Sequence, residues 1–333
     1  MNIIDKERLE RLTEIFDKNY KITALYAQYL ERYPDIITKD MIDALTEDGG
    51  TTKEEAIVAI LSEIFALDFE KAEDRALIMN YIRRSVRLLD AEKYRNNPYY
   101  KNIKIYDVKD GDWELRLESY PAYRGVIAND MLIQSDYTEI PPLGFFTEDF
   151  SFPALLEGGN EWMTLTPVDL DTSDEAINAA HGRVVTFGLG LGYYAYMVSE
   201  KEEVEEITVI EKSSAVIDLF KKHILPQFPN KDKVRIICSD AFEYAEFEMP
   251  KEKYDVAFVD TWRDASDGAP MYKRMKPLEK LNTGTEFIYW IESFLISRLR
   301  AIKFEELYSR VESSAPNAPK TFDEFLRELN DIV

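Results

Sequence analysis

Five short apolar runs alternate with helical patterns in the second half of the chain. The runs are rich in β-branched and aromatic residues and lie at residues 184–187, 207–210, 234–237, 256–259 and 287–290. Such alternation predicts βαβ units, in which parallel strands are buried beneath helices. We therefore expect an α/β fold with a mostly parallel sheet and helices on both faces.

The first run leads directly into a turn with three closely spaced glycines. Gly188, Gly190 and Gly192 are followed by a helical pattern that begins at Tyr193. Glycine tolerates positive φ and lets a ligand approach the backbone, here beside the N–H groups of a helix N-terminus. The turn predicts a Rossmann-like domain that holds an adenosine-containing ligand. NAD is disfavoured, because a dinucleotide fingerprint needs a glycine where Tyr193 stands.

An acidic residue ends or follows each of the next three runs. Glu211 comes directly after the second run, while Asp240 and Asp260 follow the third and fourth. One acid at such a position is often only a helix cap. Three in succession converge on the edge of an α/β sheet where ligands bind, and a carboxylate there can bind both ribose hydroxyls. These acids therefore favour a nucleoside site.

The glycine turn and the three acids together resemble the class I S-adenosylmethionine-dependent methyltransferases over about residues 182–290. The resemblance implies S-adenosyl-L-methionine as the cofactor and in-line methyl transfer to a small-molecule acceptor. It implies that Glu211 holds the ribose, Asp240 the adenine, and that Asp260 lies between the sulfonium and the acceptor. The implied cofactor contacts are Gly188, Leu189, Gly190, Gly192, Glu211, Lys212, Asp240, Ala241 and Asp260.

Two features depart from that family. Thr186 stands where the family usually has an acid that helps to anchor the amino group of the cofactor. The last antiparallel strand pair of the family is also missing, because residues 291–310 and 321–333 both have helical patterns. We therefore expect indirect anchoring and a sheet that ends differently.

Spermidine synthases are a second resemblance, with a similar core and a β unit before it. Their loop after the fourth strand carries acids that hold a cationic amine, and this chain has Asp260, Asp264 and Asp267 there. This resemblance implies aminopropyl transfer as an alternative to methyl transfer. A non-catalytic cofactor-binding or scaffold protein is a further alternative, since a fold does not establish a function.

The catalytic residues follow from the need for proton transfer. Transfer from a sulfonium needs no nucleophile on the protein, and it needs a base only when the acceptor must lose a proton. Asp260 is the first candidate for that base, followed by Asp264 and the phenol of Tyr193. No metal site is predicted, because His181 and His223 lack companions at ligand spacing.

Two other units are predicted before the Rossmann-like domain. Residues 1–98 have apolar residues at helical spacing, with Thr52 and Glu55 as a capping box, and predict a helical domain that is also a candidate for homo-oligomer contacts. Residues 99–165 alternate and predict a small β unit, so the last domain spans residues 166–333. Residues 160–167 are either a lid over the cofactor or a packed linker.

Charge and composition narrow the partners. A net charge of -22 repels phosphate backbones and argues against nucleic acid. No run approaches the roughly 18 apolar residues of a membrane span, and residues 1–7 lack the features of a signal peptide. Cys238, the single cysteine, cannot form an internal disulfide and is predicted to be buried in the third run. These features predict a cytoplasmic protein.

Overall fold

The computed structural model of the protein describes residues 5–332. Residues 1–4 lie outside this range, and they belong to the segment in which no targeting signal is predicted. Residue 333, the predicted end of the last domain, also lies outside it. Among the described residues, no helix combines the length and the apolar character that crossing a membrane requires.

Fourteen strands are formed within the described range. They are β1 (Val86–Leu89), β2 (Val108–Asp110), β3 (Trp113–Tyr120), β4 (Gly125–Ile127), β5 (Leu132–Ile133), β6 (Glu139–Ile140), β7 (Leu143–Phe146), β8 (Phe150–Glu157), β9 (Asn160–Thr164), β10 (Gly182–Phe187), β11 (Val204–Glu211), β12 (Val234–Cys238), β13 (Val256–Val259) and β14 (Glu286–Tyr289).

The α-helices of the same range also number fourteen, and several continue into short π or 3-10 turns. They are α1 (Lys6–Arg32), α2 (Lys39–Thr46), α3 (Lys53–Ile64), α4 (Ala72–Leu77), α5 (Arg83–Ser85), α6 (Ala91–Arg95), α7 (Pro98–Asn102), α8 (Pro167–Ala179), α9 (Tyr193–Ser199), α10 (Ser214–Leu219), α11 (Ala241–Glu243), α12 (Ala265–Met275), α13 (Glu292–Glu312) and α14 (Phe322–Asn330).

The five runs found in the sequence form one parallel sheet. Its strand order is β12-β11-β10-β13-β14, and all four pairings are parallel. Val184, Val209 and Val256 are completely buried, as expected for strands covered on both faces. The strand order reverses between β10 and β13, so a crevice for a ligand is expected at the carboxyl ends of these two strands. The prediction of an α/β fold with a parallel, Rossmann-like sheet is confirmed.

The chain ends in helices, as its pattern predicts. Among residues 5–332 no strand follows β14, and the chain continues in α13 and α14. These helices pack on the first helix: Phe304 stacks on Phe16 with ring centroids 4.0 Å apart. Leu307 and Leu329 are completely buried in the same cluster. The apolar face of α13 is therefore covered by α1.

A four-stranded antiparallel sheet has the order β2-β3-β8-β9. Gly158 and Gly159 have φ values of 58° and 82° and form the tight turn between β8 and β9. The capping box of Thr52 and Glu55 is also present, at the start of α3. All four strands of this sheet lie within the residues predicted to form a β unit.

The helical pattern over residues 1–98 does not hold throughout. Val86–Leu89 is a strand, β1, that pairs in parallel with β7. Its partner lies far along the chain, so no local pattern distinguishes it from the end of a helix. Cys238, predicted to be buried, is exposed, because β12 is the edge strand of the parallel sheet.

Contacts group the chain into two compact units rather than three consecutive ranges. The first unit contains residues up to Leu89, Pro121–Glu148 and the residues from Glu292 onward. The second unit contains Asp90–Tyr120 and Asp149–Ile291. This division differs from the predicted ranges 1–98, 99–165 and 166–333. The β1–β7 pairing and the packing of α13 on α1 join distant segments, which sequence periodicity cannot reveal.

Candidate active site

The glycine turn after β10 adopts a backbone that only glycine tolerates well. Gly188, Gly190 and Gly192 have φ values of 100°, 50° and 75°. A Cβ atom on Gly188 would lie 1.8 Å from the backbone oxygen of Asp260. The turn is therefore held against the loop after β13, and both line the crevice at the strand ends.

We expect Gly188→Ala to lower the free energy of unfolding by at least about 3 kcal/mol. The left-handed backbone costs an alanine roughly 1–2 kcal/mol, and the clash with Asp260 adds to that cost. Gly111→Ala is the matched control in the same unit: its φ is 62°, but a Cβ there meets nothing within 4 Å. Urea denaturation of both variants measures the difference. Equal losses in the two variants would contradict the close approach.

Glu211, at the end of the neighbouring strand β11, is hydrogen-bonded to the glycine turn. Its carboxylate accepts a hydrogen bond from the backbone N–H of Leu189 at 3.1 Å and from that of Ser213 at 2.8 Å. The side chain is half-buried and lines the crevice. A carboxylate offers about four lone-pair sites, so two backbone bonds leave capacity for the hydroxyls of a ligand.

Asp240 begins the short helix α11. Its Oδ1 accepts hydrogen bonds from the backbone N–H groups of Phe242 at 2.9 Å and Glu243 at 3.1 Å. Asp240 therefore caps this helix, and it also lines the crevice together with Ala241. Both bonds use the same oxygen, which leaves Oδ2 for a ligand.

The crevice contains a cavity of about 510 Å³, within the size range of small-molecule sites. Acidic side chains outnumber basic ones among its lining residues. The acids are Glu161, Asp169, Glu211, Asp240, Asp260 and Asp267, and the bases are Lys212 and Arg263. Walls of one sign of charge attract ligands of the opposite sign, so this cavity suits a cation.

Asp260 follows β13 and lies half-buried in the cavity. Within residues 5–332, no side chain or backbone group donates a hydrogen bond to its carboxylate, and its own backbone N–H donates to the carbonyl of Phe187 at 2.9 Å. Burial raises the pKa of this carboxyl well above its usual range, and the charges of Asp169 and Glu211 raise it further. Asp260 therefore takes up a proton more readily than an ordinary aspartate.

Asp169 is a site residue that the sequence pattern did not single out. It lies in the first turn of α8, where Oδ2 accepts hydrogen bonds from the backbone N–H and the hydroxyl of Thr166 at 2.7 and 2.8 Å. Burial raises its pKa to about 6, although the two bonds oppose the rise. The Thr166-x-x-Asp169 spacing predicts a helix start, but nothing local shows that this start faces the cavity.

A smaller cavity of about 20 Å³ lies beside the glycine turn. Asp169, Asp260 and Thr186 all line it. Asp169 therefore brings a carboxylate from α8 to the cavity that Thr186 lines.

Three of the four tryptophans of the chain line the larger cavity. They are Trp162, Trp262 and Trp290. Trp262 is nearly parallel to Tyr289 at 6.4 Å, and the fourth tryptophan, Trp113, packs edge-on against Trp162 at 5.3 Å. Most of residues 160–167 form strand β9, so this segment is a paired wall of the cavity rather than a linker.

Four predicted site residues do not line the larger cavity, and two of these, Leu189 and Tyr193, line the smaller one. Asp264 begins α12, where its Oδ1 accepts a hydrogen bond from the backbone N–H of Ser266 at 2.6 Å. The Tyr193 hydroxyl accepts a hydrogen bond from Asn97 at 3.1 Å, and burial raises the pKa of this phenol, which makes it a poor proton acceptor at neutral pH. Gly192 begins α9, where a Cβ would lie 2.2 Å from Phe220.

The remaining predicted contacts lie at the site. Gly188, Gly190, Glu211, Lys212, Asp240, Ala241 and Asp260 line the larger cavity, and Leu189 lines the smaller one. Within residues 5–332 no three His, Cys, Asp or Glu side chains are grouped as metal ligands. The fold and the site together define an α/β protein with a Rossmann-like sheet and an acid-lined crevice at the switch point of its strand order.

No protein-family model matches the chain, and no curated protein matches it by sequence. One solved structure that resembles it is a spermidine synthase from Thermotoga maritima, at 14% identity and a TM-score of 0.32. Another is a spermidine synthase in complex with the transition state analogue AdoDATO, at 14% identity and a TM-score of 0.31. Each match covers 60% of this chain and 62% of the other. At this identity and TM-score, neither structure assigns a ligand or a residue role to this chain.

Proposed function

We propose that the chain is a transferase whose donor is a sulfonium nucleoside related to S-adenosylmethionine, and that it transfers an aminopropyl group to an amine. One observation carries the proposal: an acid-lined cavity adjoins a glycine turn and two acids that suit a nucleoside. A non-catalytic protein of this fold would be expected to fill the acceptor space with side chains, whereas a cavity of about 510 Å³ is open here.

The nucleoside half of the donor fits the residues at the ends of β11 and β12. The carboxylate of Glu211 has lone pairs for the ribose hydroxyls beyond its bonds to the backbone. Asp240 and Ala241 begin a helix beside it and would face the adenine. Gly188 and Gly190 both line the cavity, so the sulfonium end would lie against their backbone.

The charge near the glycine turn favours the decarboxylated form of the donor. The smaller cavity is lined by the acids Asp169 and Asp260, and its described lining includes no Lys, Arg or His. The carboxylate of S-adenosylmethionine would meet two like charges there, which is unfavourable. The ammonium of an aminopropyl group would instead be attracted to Asp169, which leaves Asp260 for the acceptor.

When bound, the donor supplies a carbon attached to positively charged sulfur. The nitrogen of the acceptor amine bonds to that carbon as the carbon–sulfur bond breaks. The sulfur leaves as a neutral thioether. The acceptor amine must first lose a proton. Asp260 accepts it, because its raised pKa makes it a stronger base than an ordinary carboxylate. The tryptophans exclude water, which strengthens the attraction between the acids and their cations.

Methyl transfer from S-adenosylmethionine is the second candidate. The backbone N–H groups of Gly190 and Leu191 donate to no other described residue. Two such groups at a helix start could bind the carboxylate that the decarboxylated donor lacks. The identity of the donor therefore distinguishes the two reactions.

We expect decarboxylated S-adenosylmethionine to bind at least about tenfold more tightly than S-adenosylmethionine, because of the like charges near the glycine turn. Isothermal titration calorimetry with each compound and with S-adenosylhomocysteine measures this difference. Glu211→Ala should weaken binding of the preferred donor by about tenfold to a hundredfold.

Glu206→Ala is the matched control for this titration. Glu206 lies on the same strand, forms ion pairs of 3.9 Å with Arg183 and Arg235, and does not line the cavity. Its replacement should leave donor affinity unchanged. Tighter binding of S-adenosylmethionine would favour methyl transfer, and no binding of any of the three compounds would refute the proposed function.

A further inference from the structure

We infer that the acceptor is a monoamine with an apolar body, rather than a diamine or a longer polyamine. This inference rests on the proposed function and names the acceptor class of the same site. It follows from which side chains line the larger cavity and from which of their charges already have partners.

One end of the acceptor is an amine because Asp260 has no other partner. Its carboxylate accepts no hydrogen bond from residues 5–332 and lies half-buried beside Asp169. A cation at this position relieves the repulsion between the two acids. Asp260 therefore provides a position for one amine of the acceptor.

The same cavity also has a large apolar lining. Trp162, Trp262 and Trp290 line the cavity together with Met163 and Met271. The rings and thioethers offer a large apolar contact area, and the faces of the rings also attract an ammonium. A side chain or ring attached to the amine would be buried there.

A second ammonium finds no free carboxylate at Asp267. This acid already accepts hydrogen bonds from the backbone N–H groups of Arg263 at 3.2 Å and Asp264 at 3.0 Å. The guanidinium of Arg263 lies 3.6 Å from the same carboxylate and is itself largely exposed at the cavity lining. Because Arg263 already pairs with Asp267, this pair offers a second ammonium no net attraction.

Glu161 is the remaining acid that could receive a second ammonium. It is exposed to solvent on β9, where an ion pair contributes little because water screens it. The apolar walls therefore contribute more to acceptor binding than an ion pair with Glu161.

Butylamine, putrescine and phenylbutylamine test the inference, because they share a four-carbon chain and differ only at the far end. Each is titrated into the full-length protein by calorimetry and by tryptophan fluorescence, with methylthioadenosine present to occupy the nucleoside half. We expect phenylbutylamine to bind at least about tenfold more tightly than butylamine, and putrescine to bind more weakly than butylamine.

Arg263→Gln tests the charge argument. It should raise the affinity for putrescine relative to butylamine by several-fold, whereas Arg235→Gln, which removes an exposed arginine outside the cavity, should not. Equal effects of the two substitutions would overturn the role given to Arg263. Tighter binding of putrescine than of butylamine in the unmodified protein would overturn the inference, even if methylthioadenosine binds and the proposed function stands. Failure of methylthioadenosine itself to bind would instead overturn the proposed function.

Discussion

Asp260→Asn is expected to lower kcat by on the order of a hundredfold or more, while changing the affinity for the donor much less. The carboxylate of Asp260 faces the cavity without a hydrogen-bond partner among the described residues, and burial raises its pKa well above the usual range. Both features suit a group that takes a proton from the acceptor amine, and loss of such a base costs about 10²–10⁴ in rate. Asparagine has nearly the same shape but cannot accept that proton.

Asp264→Asn is the matched control for this prediction. Asp264 lies four residues further along the same loop, but its carboxylate caps α12 and does not line the cavity. Asparagine is an equally good cap, so stability and turnover should both be retained. Steady-state kinetics with the preferred donor and acceptor compare the two variants. Equal losses of kcat would show that Asp260 has no special part in proton transfer.

The pH profile separates a base from a structural residue. The unmodified enzyme should lose kcat/KM as the pH falls, because protonated Asp260 cannot accept a proton from the amine. If Asp260 is the base, the residual activity of Asp260→Asn should lack this acidic limb. An unchanged acidic limb in the variant would assign the titrating group to another residue.

Asp169→Asn is expected to make the protein more stable at neutral pH, by up to about 3 kcal/mol. Burial raises the pKa of Asp169 from 3.8 to about 6, and a tenfold change in proton affinity corresponds to about 1.4 kcal/mol. The folded state therefore favours the protonated form, and its stability falls as the pH rises from about 4 through 6. The asparagine oxygen can still accept the two bonds from Thr166, so the start of α8 is preserved.

Urea denaturation at several pH values measures this effect. The stability of the Asn variant should exceed that of the unmodified protein most at pH 7 to 8, and the two should converge below about pH 4, where Asp169 is protonated in both folded and unfolded chains. Glu175→Gln, which replaces an exposed acid of the same helix, should show no such pH-dependent difference in stability from the unmodified protein. A destabilised Asp169→Asn variant at pH 7 would contradict the cost assigned to the buried charge.

The same substitution should weaken donor binding. If Asp169 receives the ammonium of the aminopropyl group, its loss removes the opposite charge at this position and should cost about tenfold in affinity. A gain in stability together with a loss of binding is the pattern expected of a group retained for function. A variant that gains stability and keeps full affinity for the donor would exclude Asp169 from the donor site.

The periodicity of the sequence predicts much of the second unit. Five runs with β-rich residues become the five parallel strands, and the Gly188–Gly192 turn adopts positive φ where the glycines stand. Acids that follow parallel strands must lie at the same sheet edge, so Glu211, Asp240 and Asp260 line one cavity. These features depend on local residue types and on the direction of the strands, both of which the sequence contains.

Other parts depend on pairings that no local pattern encodes. The strand Val86–Leu89 exists because it pairs with Leu143–Phe146. Asp264 begins a helix and does not line the cavity, although it lies in the same loop as Asp260. The direction of a side chain relative to a cavity depends on how the loop packs, and residue spacing does not specify that.

Asp169 illustrates the same division within the site. The sequence by itself determines that Thr166 and Asp169 can start a helix, since a capping box needs only their spacing. Only the tertiary structure decides that this helix start meets the glycine turn, in a cavity that Asp260 shares. Burial and the charges of neighbouring groups set the pKa of an acid, and both depend on segments that are distant in the chain.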